Sequence, residues 1–141
     1  MGTNYYHYPN GPCPTCGHQG EPIHIGKSSF GWVFALHVDP DHGIKSLNDW
    51  IERWNQPGTT IKDEYGQAVT PEEMLLVVTV RFRKPWEEQR KRRPGGYSSW
   101  EEFHEKNDSM DGPNGLIRAK IGRYCIAHGD GTYDLHEGEF S

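Results

Sequence analysis

The chain has 141 residues, 33% of them hydrophobic, with a formal net charge of −5 and a pI near 5.9. That length suits one domain, and the acidic balance argues against a general nucleic-acid binder, which is usually basic. The core must be thin, although five Trp, seven Tyr and five Phe offer large areas for burial.

The N-terminus, "MGTNYYHYPNG", lacks the basic and apolar regions of a secretory signal and the sixth-position Ser or Thr of a myristoylation signal. No apolar run approaches the length of a membrane-spanning helix. A cytoplasmic, reducing location away from any membrane is therefore expected. Three Cys then point to metal or redox chemistry rather than disulfides.

Residues 1–22, rich in Pro, Gly, Tyr and Cys, read as a loop held by something other than its own hydrogen bonds. Residues 23–38, "IHIGKSSFGWVFALHV", read as a β-hairpin with Phe30-Gly31 at its tip. "VDPDHGIKS" is a polar connection. Ser46 then caps a helix in which Leu47, Trp50, Ile51 and Trp54 share one face, and Pro57-Gly58 ends it. A short hairpin is expected around Tyr65-Gly66. Thr70, Pro71 and Glu73 mark a second helix start, while the β-branched "VVTVRF" leaves residues 76–83 open between helix and strand.

Residues 81–93, "RFRKPWEEQRKRR", carry a net +5, leaving −10 on the rest of the chain. Residues 84–97 read as a mobile basic loop, and Arg90, Lys91, Arg92 and Arg93 as its candidate contact to nucleic acid. A short helix capped by Ser98 or Ser99 follows. The chain closes with two or three strands, "GDG" forming a hairpin turn. The expected fold is α+β in a single domain over residues 1–141. It would hold a small antiparallel sheet, two or three helices on one side, and a zinc-knuckle-like N-terminal segment, with residues 1–40 a metal-stapled hairpin.

Cys13-Pro-Thr-Cys16-Gly is half of a tetrahedral zinc site. A two-residue tip at Phe30-Gly31 sets Lys27 opposite Phe34 and His24 opposite His37. Opposed residues have Cβ atoms roughly 4.5–5.5 Å apart, so Cys13, Cys16, His24 and His37 are the candidate zinc ligands. That register sends Ile25, Lys27, Trp32, Phe34 and Leu36 to the other face. His18, His7, Cys125 and His128 are competing ligands. Four protein ligands would make a closed, structural site. A thioredoxin-like redox role is disfavoured, because no helix begins at Cys16.

"GKSS" has the look of a phosphate loop, but Glu21 stands where that motif requires Gly, and Gly20 comes one position too early. A strand follows instead of a helix, so no helix N-terminus holds the phosphates. Lys27, Ser28, Ser29 and Trp32, with Tyr5 and Tyr6, still offer a cation, hydroxyls and ring faces for a nucleotide. Against this stands a polar hairpin end with no ligand. Asp41-His42 and Asn48 are weakly similar to the His and Asn of ββα-metal nucleases, but the third His is missing.

Taken in order, "MGTNYY", "CPTCG", "HIGKSSFGW", "DEYG" before "VTPEEM", and the terminal "GEFS" resemble a family of small proteins encoded mostly by bacteriophages and prophages. The likeness spans nearly the whole chain, except for the basic segment around residues 84–96. It implies a phage or bacterial source and the host cytoplasm, and carries over no catalytic residues. The leading expectation is a zinc-stabilised, non-enzymatic phage accessory protein that binds a host protein or nucleoprotein complex. A nucleotide-binding or hydrolysing protein is second and a metal-dependent nuclease third.

Overall fold

A computed structural model describes residues 2–11, 13–80, 95–120, 125–138 and 140. The fold is α+β, as expected. Its sheet is larger than expected, and one of its pairings is parallel.

The first strand, β1 (Gly2–Tyr8), lies where a loop is expected. Its Thr and Tyr residues suit a pleated, half-buried surface. It pairs antiparallel with β2 (Ile23–Ser29) and with β4 (Thr60–Asp63). Next come β3 (Phe34–Val38), α1 (Leu47–Trp54), β5 (Ala68–Val69), α2 (Pro71–Thr79) and α3 (Trp100–Asn107). The chain ends with β6 (Ser109–Asp111), β7 (Ile117–Ala119), β8 (Cys125–His128) and β9 (Tyr133–Glu137). Seven strands form one sheet in the order β5-β4-β1-β2-β3-β9-β8, and β6 pairs with β7 in a second. All ladders are antiparallel except β3 with β9.

The expected N-caps at Ser46 and Thr70 form. Ser46 Oγ accepts the Asp49 amide at 3.3 Å, and Thr70 Oγ1 accepts the Glu73 amide at 3.1 Å. Residues 76–79 continue α2 as helix. The basic residues Arg90, Lys91, Arg92 and Arg93 lie outside the described residues, as do residues 84–94 of the expected loop.

The helices α1 and α2 lay Trp50, Trp54, Met74 and Val78 on one face of the sheet, against Ile25, Phe34, Leu36, Ile61 and Tyr133. The Trp50 indole N–H donates to the His37 carbonyl at 2.8 Å, which satisfies the polar edge of a fully buried ring. No helix of the described residues is long and apolar enough to cross a membrane.

The β2–β3 register is one residue away from the expected one. The turn at Phe30-Gly31 forms as expected, with the Trp32 amide donating to the Ser29 carbonyl at 3.2 Å, but beyond it Gly26 pairs with Leu36 and Lys27 with Ala35. The ladder from β1 to β2 also slips, from Tyr5–Gly26 to Tyr6–His24, which leaves Ile25 as an extra residue. Such a bulge places two successive residues on one face. Ile25 and Gly26 therefore both lie toward the helices, and Lys27 turns to the opposite face. This corrects the expectation that Lys27 shares a face with Ile25, Phe34 and Leu36. Trp32 is drawn away from the hairpin into a parallel bridge with Ile117.

Candidate functional site

The sheet face away from α1 and α2 is polar and rich in histidine. Alternation along β1 sends Tyr5 and His7 to the core, where they meet Phe34 and Trp50, and Tyr6 to the open face. There Tyr6 lies 5.3 Å from the His24 ring, and His24 Nε2 donates to Asn4 Oδ1 at 2.9 Å. His37 Nδ1 donates to the His24 carbonyl at 3.0 Å, and the two rings are 5.7 Å apart. His24 and His37, expected to meet, thus do share a face, although by a bulge rather than by direct opposition.

They do not meet the cysteines. Among the described residues, Cys13 and Cys16 belong to no cluster of three or more metal-ligating side chains. The Cys turn belongs to the exposed connection between β1 and β2, whereas His24 and His37 are engaged on the sheet with Asn4, Tyr6 and Phe140. The segment itself forms a hydrogen-bonded turn. Gly17 N donates to Cys13 O and Cys13 N to His18 O, both at 2.8 Å. The backbone amides of Cys16 and then Thr15 hold the Cys13 thiol below its usual range.

Three of the four candidate ligand residues line one cleft. It has a volume of about 290 Å³ and is walled by Lys27, Ser29, Trp32, Asp134, His136 and Phe140. Ser28 does not line it, because the strand period of two turns it to the other face, opposite Thr3. The cleft spans the parallel seam, where Ala35 pairs with Asp134 and His37 with His136. Phe140 roofs the histidines, 4.8 Å from His24, 5.7 Å from His37 and 5.5 Å from His136.

No protein-family model matches the chain, and no curated protein or solved structure is similar to it.

Beside the cleft stands a second constellation. Asp134 is 1% exposed, and its Oδ1 accepts from His128 Nδ1 at 2.5 Å and meets Arg118 Nε at 3.1 Å. Cys125 is close by, and burial, then the Asp134 carboxylate, push its thiol above the usual range. Burial also holds His136 below the ordinary histidine value. Cys125 and His128 are competing ligands in the sequence, but Asp134, His136 and Arg118 belong to no motif there, and Phe140 stands only in the terminal "GEFS". The only local trace is the alternation in "YDLHE", where Tyr133 and Leu135 pack on the core and Asp134 and His136 point the other way.

The nuclease-like residues do not assemble. His42 Nδ1 donates to Asp39 Oδ2 at 2.7 Å on the surface, and Asn48 is exposed on α1.

Proposed function

We propose that the protein binds a small anionic ligand carrying a planar ring, of the nucleotide class, in the cleft between β2, β3 and β9. The observation that supports this is the convergence of Lys27, Ser29 and Trp32 on one cleft with Phe140. An ammonium answers an anionic group, and two aromatic faces suit a heterocycle. Ser29, Asp134 and His136 supply polar atoms for the ring edge. A volume of about 290 Å³ sits at the lower end of small-molecule sites and favours a mononucleotide or smaller.

This reading moves ahead of docking on a host protein or nucleoprotein complex. In a phage accessory protein, such a cleft would withhold a host ligand from its target, with no chemical step required. The test is calorimetric titration with nucleoside monophosphates, diphosphates and cyclic nucleotides. Saturable binding is expected from at least one. Lys27→Met should weaken it roughly tenfold, the scale of one charge-assisted contact, and Trp32→Ala should abolish it. Uniform absence of binding, or affinity untouched by both substitutions in folded protein, rejects the proposal.

A further inference from the structure

The β8–β9 hairpin carries Cys125, His128 and Asp134, and one ligand atom from each lies within 4.8 Å of the others. Regular alternation would not allow this, because positions 125 and 128 of a strand point to opposite faces. The ladder is interrupted between them. Cys125 pairs with His136, Ala127 with Leu135 and His128 with Asp134, so Ile126 is the extra residue. That bulge brings the thiol and the imidazole to the same face as the carboxylate. Bulges of this kind recur beside sites, where they re-aim a side chain.

We propose that Cys125, His128 and Asp134 bind one zinc-class divalent ion, with the fourth coordination position turned to the neighbouring cleft. Sulfur, nitrogen and oxygen together suit zinc and exclude the hard ions magnesium and calcium, which take oxygen alone. On binding, the thiol proton of Cys125 leaves to solvent and the thiolate takes the ion. Both the Arg118 and His128 contacts of Asp134 fall on Oδ1, which leaves Oδ2 for the ion. Three protein ligands and an open position are the pattern of a site that also meets a ligand, and Asp134 lines the cleft as well. The site does not depend on the nucleotide reading.

The same residue types build nucleophilic triads elsewhere. Here Cys125 is only 5% exposed, and its Sγ donates to the Ala127 carbonyl at 3.8 Å rather than to His128. A small ion reaches such a thiol more readily than an electrophilic substrate.

The experiment is cobalt(II) titration of the metal-stripped full chain carrying Cys13→Ser and Cys16→Ser, which removes the knuckle thiols. One ion per chain is expected, with tetrahedral bands and a thiolate charge-transfer band that zinc bleaches. Adding His128→Gln should weaken binding at least tenfold, with the far-ultraviolet circular dichroism unchanged. If the double serine chain does not fold, the wild-type and His128→Gln chains are compared for stoichiometry, and loss of one ion is the expected result. A serine chain that binds no cobalt assigns the metal to Cys13 and Cys16 and overturns the proposal. Fast, His128-dependent alkylation of Cys125 without metal binding overturns it in favour of a nucleophile.

Discussion

Gly26, the glycine of "HIGKSS", is a packing residue in this fold, and Gly26→Ala tests that role. A Cβ there would lie 2.1 Å from the Ala35 carbonyl oxygen and 2.6 Å from Phe34 Cε1. Neither neighbour can yield cheaply. The carbonyl belongs to the strand that pairs with β2, and the Phe34 ring is fully buried in the core. Gly26 also has a φ of 157°, at the edge of the range that disfavours a side chain. Overpacking costs roughly 1–3 kcal/mol and an incompatible backbone about 1 more, so about 3 kcal/mol is expected. For a chain of this size that corresponds to a Tm lower by roughly 10 °C. Urea titration and thermal melting read it directly. Gly43→Ala is the control, since Gly43 has a φ of 73° but open space around it. It should lose only about 1 kcal/mol, the backbone component. A Gly26→Ala protein as stable as Gly43→Ala would refute the close approach, and with it the bulge that turns Lys27 to the cleft.

The remaining predictions concern the core. His7 is 1% exposed, and burial, then the Arg53 charge, lower its pKa from 6.5 to about 4. It is neutral in folded and unfolded chains above pH 6.5, so its stabilising contribution is complete there. As the pH falls toward 4, the unfolded chain takes up a proton that the folded chain refuses. Stability should fall by roughly 2 kcal/mol across that window, after allowance for solvent screening. Urea midpoints at the two ends measure it, and an equal fall in His7→Phe would exclude His7 as the cause. Trp50→Phe should lose roughly 2–3 kcal/mol, because it strands the His37 carbonyl and leaves a gap beside Trp54. A change below about 0.5 kcal/mol, the scale of surface substitutions, would show that the hydrogen bond contributes nothing.

How much was legible in the sequence follows how local each feature is. Leu47, Trp50, Ile51 and Trp54 spell out α1 within two turns, and Ser46 caps it with its own neighbour. The hairpin of β8 and β9 shows in "GDG" for the same reason. By contrast, β1 is held as a strand by partners at residues 23–29 and 60–63, which lie far along the chain. The β2–β3 register departs from the expected one because Trp32 and Val33 pair with Ile117, a partner far away in the chain. The site divides similarly. Lys27, Ser29 and Trp32 are near neighbours in the chain and were readable as a group. Asp134 and His136 join them only because β9 lies beside β3, a pairing that no short window contains.

That pairing has a consequence for the order of assembly. Residue 34 must find residue 133, and β9 must slot between β3 and β8 before the sheet is continuous. Until then β3 has a bare edge, and the cleft lacks the wall that bears Asp134 and His136. Distant parallel pairings form slowly because the long loop must close before its contacts reward it. The wall that bears Asp134 and His136 therefore joins the cleft only when that long loop closes, and an occupant bridging β2 to β9 would act as a clasp that holds β9 in place.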